Sequence, residues 1–279
     1  MRLLLLRTVI LISLLLQANF VGADVFRHID EQGHISYSDK PSPNARRIKS
    51  IPQNYRYKAQ VKRVIDGDTI VLENGERIRL IGLNAPEIES RYRQNEQGGP
   101  LAKHWLQKKL QQGTVFLEYD RQKKDKYGRS LAHLFLADGS HLNQQLIRQG
   151  LARLSLIPPN LHYADVLIKA GQEAEVNKRG LWAEEHLKLI KVAHLSGGKS
   201  VSGWQRFLAT ANQITESRKY YRLILSKDVD VRMAKKNMVL FPDLETYRDK
   251  KLEIRGWASR TQHHYSILIQ HPSAIIVLN

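Results

Sequence analysis

A chain of 279 residues with 44 Lys and Arg against 27 Asp and Glu carries a net charge of +17, and loss of Arg2 and Arg7 with a leader would leave +15. A balance that far from neutrality concentrates polyanions, so nucleic acid is the natural partner class, although a basic surface that only resists aggregation has the same composition. With no cysteine the chain forms no disulfide and offers no leader cysteine for lipid attachment, so its stability rests on burial.

The N terminus reads as a secretory signal. Arg2 and Arg7 flank leucines, an apolar run extends from Val9 to Leu16, and Val21-Gly22-Ala23 precedes the acidic Asp24. The run is too short for a comfortable bilayer span, so residues 1–23 are expected to be cleaved. The mature protein is then periplasmic or secreted, with no stable membrane insertion. Residues 24–54 hold two short alternating segments, Val25 to Asp30 and His34 to Ser38, joined by Glu31-Gln32-Gly33 as in a β-hairpin. A breaker run from Asp39 to Asn44 follows, and a linker is expected from there to about Asn54. On its aromatic, Asp, Gly and Tyr37-Ser38-Asp39-Lys40-Pro41 positions this stretch resembles a small domain of unknown function found behind signal peptides in envelope proteins of Gram-negative bacteria. That resemblance implies compartment more than activity.

Residues 55–190 are denser in apolar periodicity. Ala59 to Ile65, Thr69 to Leu72 and Ile78 to Leu83 read as strands, and Asn74-Gly75 predicts a tight type I′ hairpin with positive φ at both central residues. Ala102, Trp105, Leu106 and Leu110 recur at helical spacing ahead of Gly113. Val115 to Tyr119 and Ser130 to Leu136 read as further strands. Two more helical stripes follow, Leu142, Leu146 and Ile147 closed by Gly150, then Tyr163 to Ala174 closed near Gly180. The expectation is a β-rich α+β fold in which five strands form a small closed barrel with helices on one side. After a Gly- and Ser-containing linker, residues 199–279 read as a C-terminal β domain, with a short helix near residues 242–248. This arrangement is compatible with a second oligonucleotide-binding-type (OB-type) barrel, and equally with a structural β module. There, Trp204, Trp257 and Tyr265 are read either as base-stacking surfaces or as core, and adjacent His263 and His264 would face opposite ways on a strand.

Three polar segments of the middle section could act on a phosphodiester. Asp68, in Asp66-Gly67-Asp68-Thr69, can present a carboxylate to a hard cation, though Asp-Gly-Asp also serves as an ordinary turn. On the next strand Arg79 faces away from Ile78 and Leu80, and its planar fork matches phosphate oxygens. Gly82 bends the chain and Pro86 stiffens a turn that carries Glu87, a carboxylate able to orient or deprotonate water. Surface ion pairing is the alternative for both. Arg129, after Asp125-Lys126-Tyr127-Gly128, can reach a phosphate from the side opposite Arg79, with Gly128 allowing close backbone approach, or can be a solvated loop tip.

Residues 57–184 resemble the staphylococcal nuclease family. The match rests on Ile65 to Thr69, Arg79 to Glu87, Asp125 to Arg129, Leu146 to Ala152 and Gly180-Leu181-Trp182, in that order. The resemblance implies an OB-type barrel and calcium-dependent, sugar-nonspecific cleavage of DNA and RNA to 3′-phosphate ends. It implies Asp68, Asn84 and the Ala85 carbonyl as calcium ligands, Arg79 and Arg129 as phosphate and transition-state stabilisers, Glu87 as the water-orienting carboxylate, and Lys126 and Tyr127 as substrate contacts. Asn84 stands where the family has a second ligating aspartate, which predicts weaker calcium binding. Leu156 and Pro158 stand where the best-known member of the family carries base-flanking aromatics, so stacking there is lost. The alternative is a nucleic-acid-binding envelope protein with little or no turnover; oligomeric state is not encoded in these motifs.

Overall fold

The computed structural model describes residues 56–88, 96–183, 187–197, 201, 203–261 and 264–278, together with three short backbone strands ahead of them. Residues 1–23 lie outside this set. The three strands are β1 (Val25–Ile29), β2 (Ile35–Ser38) and β3 (Arg46–Ile48), ordered β2-β1-β3 with antiparallel pairing. The expected hairpin is present, and part of the expected linker is a third strand. These strands belong to a unit ending at Tyr55, separate from the one formed by residues 56–279.

In the second unit β4 (Tyr57–Val64), β5 (Thr69–Leu72), β6 (Arg77–Leu80), β8 (Thr114–Lys124) and β9 (Ser130–Phe135) close a barrel in the order β4-β5-β6-β9-β8. The period of two explains the closure: Ile70 and Leu72, Ile78 and Leu80, Val115 and Leu117, Ala132 and Leu134 all point inward and are buried. Each fully buried leucine or isoleucine contributes about 1.5–3 kcal/mol. Helices α1 (Gly99–Lys109), α2 (Leu142–Arg148) and α3 (Ala164–Val176) add Ala102, Leu106, Leu142, Leu146, Ile147, Leu167 and Ala170 to the same core. A short β7 (Gly82–Asn84) leaves the barrel and pairs with β10 (Arg153–Ser155).

Two local expectations are corrected. The β5–β6 connection is not a two-residue type I′ turn. Leu72 and Glu76 close a three-residue loop through Gly75 N to Leu72 O at 2.9 Å and Leu72 N to Glu76 O at 2.9 Å. Only Gly75 takes positive φ, at 85°, while the Asn74 side chain accepts from the Glu76 amide at 2.9 Å. That hydrogen bond holds Asn74 in an ordinary turn conformation and leaves the left-handed position to glycine alone. Second, β8 does not end at Tyr119. It runs on to Lys124, and its pairing with β9 resumes at Lys124 and Ser130 after an irregularity, so the basic stretch between the two expected strands is largely an extended hairpin arm.

The late motifs are explained by one backbone contact. Leu181 N donates to Gly150 O at 2.9 Å, and a Cβ on Gly150 would sit 2.0 Å from the Arg179 carbonyl oxygen. Both chain segments can meet only if that position lacks a side chain.

Residues 187–278 form an eight-stranded sheet. Its strands are β11 (Leu189–Lys191), β12 (Trp204–Thr210), β13 (Gln213–Glu216), β14 (Tyr220–Ser226), β15 (Val229–Ala234), β16 (Lys251–Thr261), β17 (His264–Ile269) and β18 (Ile275–Leu278). The order is β11-β12-β16-β17-β15-β14-β13, with β18 also on β16. The path β13-β14-β15-β17-β16-β12 repeats the order of the first barrel, with its one parallel pair at β15 and β17 as at β6 and β9. Its end strands β12 and β13 are consecutive in the chain, joined through Ala211 and Asn212. This is the pairing of the expected second OB-type barrel with its first strand split in two. β16 links the two ends of the order, pairing with β12 and β18 over its first part and with β17 over its last four residues. The sheet has its own apolar core, including Phe207, Leu223, Val231, Ile254 and Ile267. The short helix expected near residues 242–248 is a 3₁₀ turn at Leu244–Tyr247, capped by the Asp243 side chain.

The sheet docks on the barrel through charge. Arg206 of β12 and Arg255 of β16 are cross-strand neighbours that share Glu253, and Arg255 Nη2 also reaches Glu175 of α3 at 2.7 and 2.9 Å. Both guanidinium groups lie over Trp182, at 5.5 and 4.9 Å from its ring centre. Paired guanidinium forks stacked on an aromatic ring define one docking geometry.

Candidate active site

The start of β5 and the end of β6 lie side by side, with Thr69 opposite Arg79 and the Leu80 amide on the Asp68 carbonyl at 2.8 Å. This register brings two motifs distant in sequence together. Asp68 is buried: one carboxylate oxygen accepts from the Thr69 hydroxyl at 3.0 Å, and the other from the Ala85 amide at 2.9 Å and from Arg79 Nη1 at 3.1 Å. Arg79 is held further by the carbonyls of Leu80 at 2.7 Å and Leu83 at 3.2 Å. Its Nη2 donates to Asn84 Oδ1 at 3.0 Å, and the Asn84 amide donates to the Ala85 carbonyl at 3.1 Å. Asp68, Arg79, Asn84 and Ala85 therefore form one hydrogen-bonded group.

Arg79 also lines a cleft of about 370 Å³ whose other wall carries Lys126, Tyr127 and Arg129. The loop that carries them is built around Asp125. Its Oδ1 accepts from the Tyr127 and Arg129 amides at 2.9 and 3.0 Å, and its Oδ2 accepts from Arg129 Nε at 2.7 Å. Partial burial pushes the Asp125 carboxyl up, but the Arg129 side chain and the two amides outweigh it and hold the group below the usual carboxylate range. Asp125 thus stays ionised and aims Arg129. Tyr127 is 71% exposed, with Lys126 Nζ 4.9 Å and the Arg129 guanidinium 5.6 Å from its ring centre. Gly128 takes a φ of 77°, which the loop requires of glycine, and no protein atom stands near a Cβ there.

Glu87 is not among the residues lining that cleft. It follows Ala85 by two residues, its carbonyl accepts from the Glu96 amide at 2.8 Å, and it packs beside Gly99 at the start of α1. Of the eight residues singled out by sequence, seven fall in the hydrogen-bonded group or around the cleft. Glu87 lies beside them on the turn that continues from Ala85.

Three residues with a place in this architecture escaped the sequence. Asp66 Oδ1 accepts from the Asp68 amide at 2.9 Å. Burial and then the Asp68 charge push the Asp66 carboxyl up to about 6, against the pull of that hydrogen bond and of Arg79. Asn143, wholly buried on α2, donates to the Ile81 carbonyl at 2.9 Å and accepts from the Leu134 amide at 2.9 Å, fixing the point where the chain leaves β6 toward Asn84. A polar residue inside the Leu142, Leu146 and Ile147 stripe was the signal. Asn160 pairs with both backbone groups of Gln122, at 2.7 and 2.8 Å, and so ties the arm bearing Arg129 to the opposite cleft wall. Nothing in its local sequence marks that role.

For a hard divalent cation, the Asp68 carboxylate, the Asn84 amide oxygen and the Ala85 carbonyl supply the right donor chemistry. The described residues contain no group of three or more His, Cys, Asp or Glu that could hold a metal ion. Neutral oxygens would therefore have to complement one carboxylate, and Arg79 already shares two of the donors.

A family model described as staphylococcal nuclease homologue matches residues 77–184, and one described as a domain of unknown function (DUF4124) matches residues 12–59. The thermonuclease of Staphylococcus intermedius is 42% identical over 125 residues, covering 44% of this chain and 74% of that protein. The thermonuclease of Staphylococcus hyicus is 35% identical over 127 residues, covering 44% and 75%. An uncharacterised protein of Methanocaldococcus jannaschii is 32% identical over 200 residues, covering 63% of this chain and 94% of its own length.

Proposed function

This chain belongs to the staphylococcal nuclease family, and from that premise we propose that it is a calcium-dependent endonuclease of the cell envelope or exterior, hydrolysing DNA and RNA with little sugar preference to 3′-phosphate ends. The observation that carries the proposal is the cleft faced by both Arg79 and Arg129, with Asp68, Asn84 and Ala85 hydrogen-bonded behind Arg79. The leader at residues 1–23 and the match at residues 12–59 support the compartment.

In this reading the scissile phosphate lies between the two guanidinium groups. Arg79 is fixed by two carbonyls and a carboxylate, and Arg129 by Asp125, so neither must reorganise as charge grows on the phosphoryl oxygens. Tyr127 and Lys126 flank the nucleotide at the cleft wall. Glu87 holds the attacking water, whose oxygen adds to phosphorus as the bond to the 5′-oxygen breaks. Asp68, Asn84 and the Ala85 carbonyl would hold calcium, which when bound adds positive charge at the phosphate.

The deciding assay is digestion of single-stranded DNA, duplex DNA and RNA by residues 24–279, with calcium and with chelator. Glu87→Gln is expected to lower kcat by at least about 100-fold with little change in affinity, because it keeps shape and removes water orientation. Equal rates for parent and variant would remove Glu87 from that role. A second reading, binding with weak turnover, is favoured by Asn84 and by the hold of Arg79 on the donor oxygens. A salt-sensitive gel shift without cleavage in millimolar calcium would establish it.

A further inference from the structure

The chain lacks aromatic side chains at Leu156 and Pro158, yet the segment bearing them separates two concave sites. Ser155 and Ile157 line the cleft that holds Arg79 and Arg129, and the same two residues line a second pocket of about 190 Å³. The opposite wall of that pocket comes from the C-terminal sheet, with Trp204, Trp257 and Leu268. Trp204 and Trp257 are cross-strand partners on β12 and β16 and so share one face. Their exposures differ in a telling way. Trp204 is buried, with the Arg153 guanidinium 5.3 Å from its ring centre, whereas Trp257 is 43% exposed. Ile157 at 50% and Leu268 at 42% add to an apolar rim. Trp182 also lines the pocket, and its buried indole N–H has no acceptor among the described residues.

We propose that this pocket is an accessory nucleotide subsite, in which Trp257 stacks a base of the same single strand whose phosphate lies between Arg79 and Arg129. The inference rests on the nuclease reading above and assigns the C-terminal sheet a part in it. Continuity through Ser155 and Ile157 argues for one ligand crossing both sites. Charge argues that it is a polyanion: residues 201–279 hold 13 Lys and Arg against 7 Asp and Glu, a net of +6. Arg255 lines the pocket but is committed to Glu175 and Glu253, so the pocket offers ring faces, and backbone phosphates are left to the cleft. Stacking on a ring needs a base turned out of a duplex and tolerates any base, so the preferred ligand is single-stranded and unspecific in sequence. The ion-pair network on Glu175 holds the two walls together before a ligand arrives.

The test is the length dependence of Trp257→Ala. Stacking on an aromatic side chain is worth about 1–3 kcal/mol per base, so KM for a single strand of about ten nucleotides should rise about tenfold. The kcat, and the KM for a dinucleotide too short to leave the cleft, should stay at parental values, and Trp257→Phe should restore most of the affinity for the long strand. An equal rise for both lengths overturns the proposal by exposing damage to the cleft, and no rise for either overturns it by removing Trp257 from the path of the strand. Fluorescence anisotropy of the labelled long strand, with turnover blocked by chelator, reads the same difference. If the parent cleaves nothing, the nuclease reading fails, while anisotropy still decides the role of Trp257.

Discussion

Acid should destabilise the barrel through one buried histidine pair, and the effect can be isolated by a single substitution. His133 Nδ1 and His141 Nε2 are 3.0 Å apart, both rings are buried, and His141 stacks on Phe135 with ring centres 4.5 Å apart. Burial, with repulsion from Arg56, pushes His141 down to about 3, and burial followed by the charges of His141 and His162 pushes His133 well down. Such groups bind protons in the unfolded chain and refuse them in the folded one. Their contribution is therefore full above the unfolded value near 6.5 and is lost as pH falls below it, at up to about 1.4 kcal/mol per pH unit for each ring. Asp66 works in the opposite direction: with its carboxyl raised to about 6, the folded state takes up a proton first and gains stability on acidification. A measurement on the parent alone would mix the two. Comparing the parent with His141→Gln, which keeps a hydrogen-bonding group beside His133 and does not titrate, cancels Asp66. Urea unfolding in chelator at pH 7.5 and pH 5.5 should show the parent losing about 1.4 kcal/mol more than the variant between the two conditions. Equal losses would mean that His141 is protonated in the folded protein and that the burial argument is wrong.

Two further outcomes follow from the site. Asn84→Asp restores a second charged oxygen beside Asp68 and should lower the calcium concentration for half-maximal cleavage by about tenfold, read from a calcium titration of the rate; no shift would remove residue 84 from the ligand set. Asn143→Leu strands the Ile81 carbonyl and the Leu134 amide and should cost about 1–3 kcal/mol in urea unfolding. An unchanged midpoint would show that those backbone groups find other partners.

Much of the barrel was legible because apolar residues such as Ile70 and Leu72, Ile78 and Leu80, Val115 and Leu117 recur at every second position, and the order of five motifs pointed to its family. The same alternation separated Arg79 from Ile78 and Leu80, since one residue's shift along a strand reverses its facing. Local propensity misled at Asn74-Gly75, where the asparagine side chain capped the loop and did not itself turn left-handed. The strand expected to end at Tyr119 runs on to Lys124, which pairs with Ser130 after an irregularity, because that pairing is set by a neighbouring strand and not by the charged residues themselves. Asn143 and Asn160 are placed by partners 62 and 38 residues away.

The sequence by itself determined which faces are apolar, where the chain must turn, and which charged side chains stand beside the bends of the middle section. Tertiary structure alone decided that Asp68 and Arg79 meet, that Asp66 is buried enough for its carboxyl to be pushed up, and that Trp204 is covered while Trp257 stays open over a pocket that shares Ser155 and Ile157 with the cleft. The physical reason is that periodicity encodes whether a side chain is buried, a property of its own strand or helix. What it is buried against depends on strand register and on the docking of a second sheet, which are set by contacts between residues remote in the chain.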